Sequence, residues 1–121
     1  MKVEMYNLIQ KNKTALRKMT RKYHKIKESE ASVKEQIKDY ANLTGWAIVP
    51  ILQGLGCYPG ISDFFLIKKG RVIFLETKSS SGSQRPAQKE FQELVESHGG
   101  EYLLASCLED FIEAATIPKI D

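Results

Sequence analysis

"DFFLIKKGRVIFLETK" runs from Asp63 to Lys78 and decides how the chain folds. Two apolar runs, Phe64 to Ile67 and Val72 to Leu75, flank Lys69-Gly70. This is a β-hairpin pattern, because a short turn containing glycine lets two strands of period two fold back on each other. A turn centred on Lys69-Gly70 sets Lys68 opposite Arg71, Ile67 opposite Val72, Phe65 opposite Phe74 and Asp63 opposite Glu76. A four-residue turn from Lys68 to Arg71 keeps that register; a three-residue turn shifts it by one.

The register puts an acid against an acid. Directly opposed side chains have Cβ atoms about 5 Å apart, where two carboxylates repel by roughly 3 kcal/mol at an effective dielectric of 20. A shared proton or a divalent cation relieves the repulsion. Lys78, two residues beyond Glu76, projects from the same face. Hard oxygen ligands with room for water suit Mg²⁺ or Mn²⁺. Such an ion binds a water and a phosphate oxygen, and Lys78 can hold or deprotonate the water or stabilise the developing oxyanion. That chemistry is phosphodiester hydrolysis. The competing reading is a plain ion pair, with Lys78 neutralising Asp63 or Glu76 at a sheet end. Geometry alone leaves both open.

Outward from the hairpin, "WAIVPIL" (Trp46 to Leu52) reads as a strand, confined to an edge or a bulge by Pro50. "QGLGCYPG" (Gln53 to Gly60) is a loop. Before them a helix starts near Ser29 or Ser32 and runs to about Leu43, with Val33, Ile37 and Ala41 on one face and Gly45 ending it. After the hairpin, Pro86 opens a helix through about Ser97 with Phe91, Leu94 and Val95 inward, and Gly99-Gly100 closes it. "EYLLA" (Glu101 to Ala105) is a short strand and "CLEDFIEAA" (Cys107 to Ala115) a last helix.

The chain has 121 residues, 42% hydrophobic and 27% charged, enough for one globular domain. No apolar stretch reaches the roughly 20 residues of a membrane span, and the basic N-terminus has no apolar signal-peptide core. Cys57 and Cys107 stand in no metal-ligand spacing, which fits free thiols in a reducing cytoplasm. The net charge of +3 hides an asymmetry: residues 1–27 hold nine Lys or Arg against the single acid Glu4. Leu16, Met19, Tyr23 and Ile26 form a helical stripe there, so a basic amphipathic helix is expected around 14–27. Such an arm attracts polyanions, pairs with its copy in a second subunit, packs on its own body, or is solvated.

"GISD" (Gly60 to Asp63) followed by "ETK" (Glu76 to Lys78) resembles the PD-(D/E)XK nuclease signature. "SEASV" from Ser29, "GW" at Gly45-Trp46, "FLETK", "QRPAQKEFQELVESHGGEY" and "SCLEDF" accompany it in order. Together they resemble the VRR-NUC family, the virus-type replication-repair nucleases, from Ser29 to about Phe111. The resemblance implies an α/β restriction-endonuclease-like core, a small mixed β-sheet flanked by helices. It divides the chain into a basic helical arm over 1–28 and a nuclease domain over 29–121. It places metal acids on Asp63 and Glu76, a further metal ligand on the Thr77 carbonyl, the catalytic lysine on Lys78, a helix acid on Glu30 and a glutamine on Gln88. It implies a Mg²⁺- or Mn²⁺-dependent endonuclease acting as a homodimer on branched DNA, including four-way (Holliday) junctions.

Two departures stand out. The usual Pro before the aspartate is Ser62, and the arginine often found after the "GW" strand is missing, since Pro50 has no base nearby. Ser32 and Glu35 form an S-x-x-E capping box, which gives Glu35 a local task; a helix starting at Ser29 instead puts Glu30 at its first position. Gln88 orients a water or phosphate, or is a first-turn residue in solvent. Arg85 and Lys89 read as solvated or phosphate-contacting, His98 as a helix-end cation, His24 as surface, and Ser79 to Ser83 as a loop beside the site. The same residues also fit a binding module on a nuclease fold without turnover, or a nuclease for RNA or linear duplex ends.

Overall fold

The computed structural model describes residues 11–12 and 29–117. The expected basic helix with its Leu16–Ile26 stripe, His24, and the division of the chain at residue 28 lie outside the described residues or on their border. The elements follow in the order α1 (Glu30–Leu43), β1 (Ala47–Pro50), β2 (Phe64–Lys68), β3 (Arg71–Thr77), α2 (Pro86–Ser97), β4 (Glu101–Ala105) and α3 (Leu108–Thr116). This is the succession of helices and strands expected from the sequence. Among the described residues, no helix is long and apolar enough to cross a membrane.

The hairpin forms in the expected register, from Phe64 opposite Leu75 to Lys68 opposite Arg71. Lys69 and Gly70 both take positive φ, 50° and 81°. That is the twist a two-residue hairpin turn requires, and here a lysine accepts the left-handed conformation usually left to Asn, Asp or Gly. β1 pairs antiparallel with β2 at one edge and β4 pairs parallel with β3 at the other, giving a mixed sheet in the order β1-β2-β3-β4. Pro50 sits at the end of the edge strand, where its missing N–H costs no ladder bond.

Alternation along β3 sends Ile73, Leu75 and Thr77 to one face. There the two apolar side chains join Val33, Ile37, Tyr40, Leu108 and Phe111 in the main core. Tyr40 and Trp46 both meet the Phe111 ring edge-on, at 5.9 and 5.8 Å. On the other face Phe74 meets Phe91 of α2 edge-on at 5.6 Å, and Phe91 also meets Tyr58 and Tyr102. Leu94 was expected inward but is 38% exposed. α2 covers the sheet with Phe91 and Val95, a narrower stripe than its apolar residues allow.

α1 settles the capping question. Ser29 is its N-cap, and its hydroxyl accepts the Ser32 N–H at 3.1 Å. The Ser32–Glu35 capping box therefore does not form: Ser32 lies inside the helix, where its hydroxyl accepts from the Gln36 amide, and Glu35 is exposed. Starting one turn earlier puts Glu30 at the first helical position, where the helix dipole favours an anion.

Candidate active site

The carboxylates gather at the open end of the hairpin. β3 carries Glu76 and Thr77 in its last two positions, with Lys78 just beyond, and the chain enters β2 through Asp63. Glu30 comes from the first turn of α1. Carboxylate oxygens of Glu30, Asp63 and Glu76 all lie within 4.8 Å of one another, a spacing that one metal ion can span. Glu35 is not part of this group.

Asp63 is held by its neighbour strand. Its Oδ2 accepts from the Thr77 N–H at 3.0 Å and from the Thr77 hydroxyl at 2.9 Å. The carboxylate thus continues the β2–β3 pairing one step past the last residue pair. Ser62, fully buried, donates its hydroxyl to the Phe64 carbonyl at 3.0 Å and fixes the bend at this point. So the serine in place of the usual proline shapes the turn and leaves the Asp63 carboxylate beside those of Glu30 and Glu76. Thr77 thereby gains a role the sequence reading gave only to its carbonyl: its N–H and hydroxyl aim Asp63.

Glu76 is 2% exposed. Its Oε1 accepts from Gln88 Nε2 at 2.9 Å and lies 3.7 Å from Lys78 Nζ. Its Oε2 is buried and has no hydrogen-bond partner among the described residues. Burial, then the nearby Asp63 charge, push its pKa up from 4.5 to about 7, against the pull of Lys78. A carboxylate left this way is costly to ionise unless a cation arrives.

Gln88 is oriented without ambiguity. Its Oε1 accepts from the Arg85 N–H at 2.9 Å, so its amide NH₂ has to face Glu76. Both polar ends are engaged with protein, which makes Gln88 a clamp on Glu76 rather than a residue in solvent. The backbone of Gly60 presses against the same turn. A Cβ on Gly60 would lie 2.1 Å from the Ala87 carbonyl oxygen and 2.7 Å from Gln88 N, and its φ is 77°. Only glycine permits this approach, and the approach sets how closely α2 brings Gln88 to the acids. Gly60, Gln53, Arg85 and Gln88 line a cleft of about 350 Å³, which shares Gln88 with the carboxylate group.

Two site residues escaped the sequence reading. Lys34 Nζ lies 3.7 Å from both Glu30 Oε1 and Asp63 Oδ2. The signal was present, since Glu30 and Lys34 stand at i and i+4 of one helix. Gly60 carried no such mark, because its role depends on a helix that follows 26 residues later. Among the remaining candidates, Arg85 and Lys89 are exposed. His98 caps the end of α2, with Nδ1 2.8 Å from the Leu94 carbonyl. Both cysteines are free thiols, and burial pushes Cys107 up to about 11, which keeps it protonated and unreactive.

The residues present fit a divalent ion: three convergent carboxylates, one of them buried with an unpartnered oxygen. Glu30, Asp63 and Glu76 would hold it.

No family model and no curated protein matches the sequence. Among solved structures, one described as a VRR_NUC domain superposes with a TM-score of 0.60 over 70% of this chain and 90% of that one, at 18% identity. The chain therefore has a VRR-NUC-like fold, a small mixed four-stranded sheet flanked by helices.

Proposed function

We propose that this protein is a Mg²⁺- or Mn²⁺-dependent DNA endonuclease, selective for branched DNA such as four-way junctions and acting as a homodimer. The observation that carries the hydrolytic reading is the buried Glu76 carboxylate, which lies within 4.8 Å of those of Asp63 and Glu30 and whose Oε2 has no donor among the described residues. A divalent ion held there lowers the pKa of water and neutralises charge on a phosphate. Asp63, Glu76, Glu30 and the Thr77 carbonyl are the proposed ligands. Lys78, its side chain 14% exposed and its ammonium beside Glu76, holds the attacking water or stabilises the negative charge that develops on the phosphate oxygens. Gln88 keeps Glu76 turned toward the other acids.

The choice of DNA rests on the basic stretch over 1–27, which would lie along phosphates. The choice of branched DNA and of a dimer rests on the sequence resemblance to stand-alone VRR-NUC proteins. A two-fold dimer sets two hydrolytic centres on symmetric strands, as a four-way junction requires.

The test is to incubate the full chain with end-labelled four-way, three-way and linear DNA and matched RNA, with and without Mn²⁺, and to map the cuts. Paired, Mn²⁺-dependent cuts near the branch point support the proposal. Tight junction binding with no cut under any metal would mark a binding module instead, and preferred cutting of RNA or linear ends would move the substrate class.

A further inference from the structure

Among the described residues, three acids face two ammonium groups, and the two lysines divide them. Lys78 serves Glu76, at 3.7 Å. Lys34 serves Glu30 and Asp63, at 3.7 Å from each. These distances are ion pairs rather than hydrogen bonds. Asp63 Oδ2 already accepts twice from Thr77, so Lys34 is its expendable partner. The side chain of Lys34 is one-third exposed, against 14% for Lys78, so its ammonium has solvent to move into.

Its anchor does not move with it. Lys34 follows Val33, which is fully buried, on a helix that also buries Gln36 and Ile37. The ammonium also lies 6.0 Å from the centre of the Phe64 ring, at the outer limit of a cation–π contact. A four-carbon stem on a fixed helix lets the charge swing while staying beside the acids.

We propose that Lys34 is a displaceable counter-cation of the metal site. Its ammonium holds Glu30 and Asp63 together when no ion is bound and competes with the ion for their oxygens. Once displaced, it neutralises a phosphate oxygen of the substrate. This inference rests on the metal-dependent reading above.

The test measures Mn²⁺ binding to the full chain without DNA, by electron paramagnetic resonance of free Mn²⁺, for wild type, Lys34→Met and Lys34→Arg. Removing a cation next to two ligand carboxylates tightens Mn²⁺ binding about tenfold in Lys34→Met, whereas Lys34→Arg stays near wild type. At saturating Mn²⁺, single-turnover cleavage falls about tenfold in Lys34→Met and is largely kept in Lys34→Arg. Unchanged or weaker Mn²⁺ binding by Lys34→Met overturns this inference alone, as does undiminished cleavage. Absence of Mn²⁺ uptake by the wild-type protein overturns the metal-dependent reading and this inference with it.

Discussion

At the start of β3, the Arg71 guanidinium donates to both oxygens of Glu101 at 2.8 and 2.9 Å and to the Ala114 carbonyl at the end of α3 at 2.8 Å. It also lies 5.9 Å from the Trp46 ring. At the far end of the same strand, among the described residues, the ion pairs of Glu76, Asp63 and Glu30 are all 3.7 Å long, and one buried oxygen accepts nothing. Both ends hold charge out of full solvent. The first is held by short, direct hydrogen bonds, with the fork geometry that makes arginine–carboxylate pairs strong. The second keeps its acids close, loosely paired and partly unsatisfied, a state that favours binding a cation over stability.

Changes at the two ends should separate activity from stability. Glu76→Gln keeps the shape and the contact with Gln88 but removes the charge. Cleavage should fall by about 10⁴-fold in single-turnover assays, while thermal stability is unchanged or higher. Full activity in this variant would sink the comparison. Lys78→Ala should lower cleavage by about 10³-fold with junction binding retained in a gel-shift assay.

Gly60→Ala sharpens the contrast, because it adds one methyl group against the Ala87 carbonyl at a positive φ. Chemical denaturation should show a loss of about 3 kcal/mol from overpacking and backbone strain. Cleavage by the folded fraction should drop as well, since Gln88 is pushed from Glu76. Arg71→Ala tests the other end: about 2 kcal/mol less stable, given that the pair is partly exposed, with cleavage per folded molecule unchanged.

The most graded effect is in pH. Folding raises the Glu76 pKa from 4.5 to about 7, so the folded state holds this proton more tightly than the unfolded chain. Below 4.5 both states are protonated and the group costs nothing; the cost grows between 4.5 and 7 and is complete above 7. Without metal, melting temperature should therefore drop by about 10 °C across that window relative to Glu76→Gln. Metal uptake releases the proton, so Mn²⁺ affinity should weaken below about pH 7. A flat profile in both measurements would argue that Glu76 stays ionised throughout.

Much of this was legible in the residues. Apolar alternation around Lys69-Gly70 set the hairpin register, and the register alone brought Asp63 toward Glu76. Pro50, Pro86 and the paired glycines 99 and 100 marked edges and ends, because their backbone limits act locally. What stayed hidden depends on contacts between distant segments. Two serines competed for the start of α1, and local chemistry did not rank them. Gln88 could be suspected, but its orientation depends on the Arg85 N–H, which only the folded turn supplies. Leu94 looked like a core residue because helical period ignores how wide a sheet is beneath. Lys34 had the right spacing from Glu30, yet its meaning appears only when Asp63 arrives from β2.

The Thr77 amide offers a direct view of this centre. Its proton is held by the Asp63 side chain instead of a backbone carbonyl. Fraying of the ribbon end and departure of an acid from its post are therefore one event. Hydrogen–deuterium exchange at that single amide would follow the assembly of the centre in solution, with no substrate and no turnover needed.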